Sequence, residues 1–165
     1  MYCPSLKHLL YVAAGGVVAT SQLVHAQDTS FAGMQKRGAI AMGVDQYTSV
    51  HRFDDLADGG RIELRRDHDD SAGTLTIRGH LRDIARAFEN ADFRTPAFVH
   101  LTAVPGTALM AAKRAVIRYD VSELPRGGAL RITTTDSAAV HAVHEFLAFQ
   151  RGEHRAPGHD LHSHP

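Results

Sequence analysis

The chain has 165 residues, and its 18 Lys plus Arg balance its 18 Asp plus Glu. That length suits one ordinary domain, which can bury a hydrophobic core without disulfides. The balanced charge and the lack of a basic stripe with interleaved aromatic residues argue against nucleic acid as a partner. The unusual feature is the 12 histidines, because imidazole is the commonest metal-binding side chain.

Residues 1–26 have the pattern of an export signal. The start is weakly basic, residues 9–20 form a nearly unbroken run of apolar and small residues, and residues 24–26 include the small side chains that a signal peptidase needs. The run is too short to cross a bilayer, which takes ~20 apolar residues. We therefore expect cleavage after Ala26, a periplasmic or secreted mature chain, and no membrane span after cleavage.

Cys3 is the one cysteine in the sequence, and it lies within the predicted signal. The mature chain is therefore expected to contain no disulfide and no cysteine nucleophile. This also excludes c-type haem attachment, iron–sulfur clusters, a blue-copper centre and a zinc site built from cysteines.

Residues 27–46 form an N-terminal segment of small and polar residues. A helix here would place Phe31, Met34 and Met42 on one side, although two glycines weaken the prediction.

Clear secondary-structure patterns begin at Tyr47. The alternation in YTSVHRFDD predicts a strand with His51 and Phe53 on one face, LADGG predicts a turn, and RIELRR predicts the returning strand. DHDDS then offers caps for a helix over residues 71–90, whose apolar stripe includes His80.

The second half of the chain repeats this plan. AVIRYD and ALRITT are predicted strands joined by the turn ELPRGG, and Asp136 caps a helix over residues 137–152 with His144 on its buried side. We expect a single α+β domain over residues 47–154, in which duplicated β-β-α units form an antiparallel sheet with helices packed on one face.

Two further segments complete the prediction. Between the halves, TPAFVHL is interpreted as an additional strand with Phe98 and His100 on one face, followed by a turn and a short helix containing Met110. Residues 155–165 contain proline, glycine and histidine without an apolar period, so we expect a disordered His-rich tail.

Four histidines lie within predicted helices or strands, and most of them point where apolar neighbours point: His51, His80, His100 and His144. Their convergence would form a metal site, with Met110 as a soft ligand and the tail histidines capturing metal at lower affinity. Copper and zinc both suit imidazole, and the oxidising compartment together with accessible Met residues favours copper slightly. Nickel and b-type haem stay open as alternatives.

Two other classes of function compete with a metal-binding protein. One is a small-ligand or protein-binding module whose core histidines are hydrogen-bonded and bind no metal. The other is a small hydrolytic or redox enzyme, for which the sequence offers no motif. It has no Gly-x-Ser-x-Gly and no Gly-rich phosphate loop, and HEFLA lacks the second histidine of a zinc-protease helix. No catalytic residue is therefore assigned, and the oligomeric state stays open.

Short motifs spread over residues 37–154 resemble a known family. The matching pieces are His51-Arg52-Phe53, Gly59-Gly60, Ile77-Arg78-Gly79-His80-Leu81, Asp92-Phe93 with Pro96 and His100, Pro105-Gly106, Tyr119, Pro125 with Gly127-Gly128, and His144 through Gln150 with His154. They are similar to a family of small exported bacterial proteins, many of which carry the label "aspartate carbamoyltransferase".

The resemblance supports the fold and the histidine set, and it adds His154 to the candidate metal ligands. Several relatives have Met-Pro-Gly where this chain has Val104-Pro105-Gly106. If that Met is a soft metal ligand in the relatives, its absence here weakens the case for copper, although Met110 is nearby in the sequence. Aspartate carbamoyltransferase activity is not expected. Such enzymes are much longer cytosolic proteins that bind carbamoyl phosphate through a Ser-Thr-Arg-Thr loop, and this chain has no such loop.

Overall fold

The computed structural model describes residues 27–159. The predicted export signal and the tail histidines His162 and His164 lie outside the described residues. The helices are α1 (Phe31–Met42), α2 (Ser71–Glu89), α3 (Arg94–His100), α4 (Thr107–Ala112) and α5 (Ser137–Glu153), and the strands are β1 (Ser49–Leu56), β2 (Gly59–Arg66), β3 (Ile117–Leu124) and β4 (Gly127–Thr134). Single 3-10 turns at Gln46–Thr48 and Arg114–Val116 precede β1 and β3.

The four strands form one antiparallel sheet in the order β1-β2-β4-β3. Each hairpin is followed by a long helix, and the two hairpins join through β2 and β4 at the centre of the sheet. The α+β prediction with duplicated β-β-α units is confirmed. Both long helices begin where the sequence placed their caps, since Asp70 accepts a hydrogen bond from the backbone of Gly73 and Asp136 accepts one from the backbone of Ala139.

Helices α2 and α5 cover one face of the sheet and enclose the hydrophobic core. Their apolar stripes pack on alternate strand residues such as Ile62 and Leu64, because successive side chains of a strand point to opposite faces. Ile77 of α2 and Leu147 of α5 are fully buried at this contact. No helix within residues 27–159 combines the length and the apolar character that a membrane span requires.

Helix α1 forms despite its two glycines, and Gly38 allows the helix to pack closely against Gln46. A Cβ atom added at Gly38 would lie 2.9 Å from the side-chain oxygen of Gln46. The Nε atom of Arg37 donates to the carbonyl oxygen of Val99 at 2.7 Å and so ties α1 to the end of α3.

The predicted strand TPAFVHL is wrong, because these residues lie in and directly after helix α3. Pro96 occupies the first turn of α3, where its missing N–H costs no intrahelical hydrogen bond. Just before the helix, Asp92 accepts a hydrogen bond from the backbone N–H of Arg94 at 3.0 Å. In a helix, residues two apart do not share a face. Phe98 is accordingly 46 % exposed, whereas the side chain of His100 is 1 % exposed.

The segment that follows α5 lies along the outer edge of β1. The backbone N–H of Phe53 donates to the carbonyl oxygen of Pro157 at 3.1 Å, and that of Asp55 donates to the carbonyl oxygen of His159 at 2.8 Å. An edge strand presents unpaired backbone groups of this kind. Residues 157–159 therefore hydrogen-bond to the sheet edge without forming a strand, whereas the sequence indicated a disordered tail from residue 155.

Candidate functional site

A cavity of about 100 Å³ lies where α1, α2, α3 and α5 meet the inner face of the sheet. Its walls are mostly apolar side chains, including Phe53, Ile84 and Phe146. Four histidines share the lining with them: His51, His80, His100 and His154. All four were predicted site residues, so the tertiary structure brings most of the predicted set to one place.

Each histidine reaches the cavity from a different element. His51 lies on the inner face of β1, two residues before Phe53, and His80 lies on the inward side of α2 beside Leu81. His100 is the last residue of α3, and His154 is the C-cap of α5.

The His154 ring connects two of the other rings. Its centroid lies 4.9 Å from that of His51 with the planes 18° apart, and 5.1 Å from that of His100 with the planes perpendicular. Phe53 completes an aromatic wall, since its ring centroid lies 5.7 Å from that of His154. Aromatic pairs prefer centroid distances in this range.

Burial keeps these imidazoles neutral. Desolvation, together with repulsion from His80, lowers the pKa of His51 to about 4. Desolvation, with repulsion from His51 and His100, lowers the pKa of His154 to about 3. The pKa values of His80 and His100 are also lowered, mainly by burial. A neutral imidazole offers one N–H donor and one lone-pair acceptor, so the site can bind a donor, an acceptor or a metal ion.

A hydrogen bond defines the tautomer of His100. Its Nε2 atom lies 3.0 Å from the side-chain oxygen of Gln150. That oxygen only accepts, so Nε2 carries the proton and Nδ1 carries a lone pair. The Nδ1 atom is buried and has no hydrogen-bond partner within residues 27–159. The nearest carboxylate oxygen, Oε2 of Glu153, lies 3.9 Å away.

Gln150 is a residue of the site that the sequence analysis missed. It is 5 % exposed and lines the cavity. It continues the buried stripe of α5, because it follows Val143 by seven residues and Leu147 by three. A polar side chain on a buried stripe is the signal that could have identified it.

The other two predicted ligands lie elsewhere. Met110 is fully buried in the hydrophobic core and does not line the cavity. The Nε2 atom of His144 lies 2.9 Å from the carbonyl oxygens of both Leu56 and Gly59. Both oxygens are acceptors, so Nε2 donates to them and links α5 to the β1–β2 turn. His144 thus stabilises the fold through these hydrogen bonds and does not line the cavity.

We predict that His144→Leu lowers the free energy of unfolding by about 1–3 kcal/mol, because the buried carbonyl group of Gly59 and the part-buried one of Leu56 lose a donor. The matched control is His141→Leu on the same helix. That side chain is 68 % exposed, so its loss should change stability by less than about 0.5 kcal/mol. Urea unfolding of both variants measures the difference. Equal stabilities would show that the His144 hydrogen bonds contribute nothing.

Across residues 27–159, no three His, Cys, Asp or Glu side chains are grouped closely enough to hold a metal ion between them. No family model matches the chain, and searches of curated proteins and of solved structures find no match either. The chemistry of the cavity therefore has to be inferred from its own residues.

Proposed function

We propose that the protein binds a small, largely apolar molecule in the cavity between the helices and the sheet. The observation that carries this proposal is an apolar cavity lined by four neutral imidazoles. Ligand sites are typically concave and apolar, with a few polar groups that orient the ligand. We also propose that the protein is exported to the periplasm, because residues 1–26 have the pattern of an export signal.

The size of the cavity limits the ligand. An apolar cavity of about 150 Å³ is known to accept benzene, and this one is about 100 Å³. One aromatic ring is therefore the upper limit for the ligand, and the cavity walls must move outward to admit it.

The lining also indicates the ligand's polarity. The rings of His51 and His154 form an aromatic wall with Phe53, which suits a flat apolar molecule. Their nitrogens can each donate or accept one hydrogen bond in the neutral state. An aromatic ring with one polar substituent can stack on the aromatic wall and form a hydrogen bond with an imidazole nitrogen.

The test uses the full chain purified without an affinity tag, with phenol and benzene as probes. We expect both to raise the midpoint of thermal unfolding in a concentration-dependent manner, because a ligand that binds only the native state stabilises it. Ala41→Leu adds bulk to the cavity wall and should weaken binding at least about tenfold, equivalent to about 1.4 kcal/mol.

The matched control is Ala138→Leu, which makes the same change at an exposed position of α5. It should bind both probes as the unchanged protein does. Failure of either probe to bind, or equal affinities of the Ala41 and Ala138 variants, would overturn the proposal.

A further inference from the structure

The C-terminal ends of α3 and α5 meet beside the cavity. His100 is the last residue of α3, and Glu153 is the last residue of α5. Their side chains approach each other, with Nδ1 of His100 lying 3.9 Å from Oε2 of Glu153. This distance is too long for a hydrogen bond, so two electron-rich atoms lie near each other without a hydrogen bond between them.

Two features place negative charge at this point, and the positive charge of Arg37 opposes them. The C-terminal end of a helix carries partial negative charge, and a cation there is stabilising. Glu153 places a full negative charge at the end of α5, where the helix dipole disfavours it.

Nearby arginines already have other contacts. Arg151 donates to the carbonyl oxygen of Phe53 and pairs with Asp55. Arg155 stacks over the ring of Phe31, and Arg37 donates to the carbonyl oxygens of Val99 and Asp28.

His100 supplies the second, independent observation. Its side chain is 1 % exposed, and its Nδ1 atom has no hydrogen-bond partner among the described residues. The hydrogen bond from Nε2 to Gln150 holds the lone pair on Nδ1. Metal-bound imidazoles are oriented in the same way, by a hydrogen bond on the nitrogen that does not bind the metal.

We propose that a divalent zinc or copper ion binds between Nδ1 of His100 and Oε2 of Glu153, with water in its other coordination positions. Bonds of about 2.0–2.2 Å to each atom can span the observed 3.9 Å. Glu153 is half-exposed and can adjust. This narrows the metal site predicted from the sequence, which contained six residues, to His100 and one carboxylate. It goes beyond the small-ligand proposal, since neither atom is needed to hold an apolar ring.

The test is a zinc titration of the tag-free full chain, followed by calorimetry and by the nitrogen chemical shifts of His100. All variants also carry His159→Ala, His162→Ala and His164→Ala, which remove the tail histidines as competing ligands. We expect one zinc ion per chain, a large shift of Nδ1 but not of Nε2, and at least tenfold weaker binding in Glu153→Gln.

Glu145→Gln is the matched control. Glu145 lies on the same helix, and its carboxylate is 3.5 Å from Nε2 of the exposed His141, so it offers a similar pair at the surface. The Glu145→Gln substitution should leave zinc affinity unchanged. Three results would each overturn the proposal: no zinc binding in the tail-substituted protein, unchanged binding in Glu153→Gln, or an equal loss in Glu145→Gln.

Discussion

Replacing Arg151 with leucine should lower the free energy of unfolding by about 3–5 kcal/mol, because it leaves a buried carboxylate without a partner. Asp55 is 1 % exposed on the inner face of β1. The two terminal nitrogens of Arg151 lie 3.3 Å and 3.4 Å from the two oxygens of that carboxylate. The same guanidinium donates to the carbonyl oxygen of Phe53 at 2.8 Å, so it also anchors α5 to β1.

Two comparisons make this prediction specific. The double variant Asp55→Leu/Arg151→Leu should be more stable than Arg151→Leu alone, because it removes the unpaired charge. Arg86→Leu removes an arginine that is 68 % exposed and pairs with Asp83 on α2, and it should change stability by less than about 1 kcal/mol. Urea unfolding provides all four free energies. A cost for Arg151→Leu as small as that for Arg86→Leu would contradict the prediction.

Replacing Gly106 with alanine should destabilise the protein by about 2–6 kcal/mol, because two separate costs add. Gly106 has φ of 78°, a left-handed conformation that costs other residues about 1–3 kcal/mol. In addition, a Cβ atom there would lie 2.0 Å from the carbonyl oxygen of Ala142. That oxygen belongs to the backbone of α5, so α4 and α5 would have to move apart, and such overpacking costs about 1–3 kcal/mol.

Gly79→Ala is the matched control for this substitution. Gly79 lies in the interior of α2, and a Cβ atom there would have no neighbour within 4 Å. Alanine has the higher helix propensity, so the variant should be stabilised by up to about 1 kcal/mol. Denaturant midpoints at constant m-value measure both changes. A destabilisation of equal size in the two variants would show that the backbone contact at Gly106 is unimportant.

Local patterns predicted most of the fold. Alternating side chains followed by turn residues identified both hairpins, and capping aspartates with apolar periodicity identified α2 and α5 to within one residue at their ends. Helix α3 was missed because it has seven residues and contains Pro96. Over so short an apolar run, helix and strand patterns cannot be told apart.

The site was predicted less completely than the fold. Periodicity correctly placed His144 on the buried side of α5, where it is 5 % exposed. It could not show that this side chain faces the β1–β2 turn, whereas Gln150, six residues later, faces the cavity. The direction that a residue faces around a helix follows from local geometry. The partner that it meets depends on how the helix is placed on the sheet.

The sequence by itself determined the duplicated β-β-α plan and the positions at which histidines replace apolar residues, because both depend on spacings within single elements. Only the tertiary structure decided that His51, His80, His100 and His154 share one cavity. Residues about a hundred positions apart along the chain, such as His51 and His154, come together in this cavity only when the whole core packs. The same packing desolvates the imidazoles, which keeps them neutral, and it places Nδ1 of His100 3.9 Å from Oε2 of Glu153.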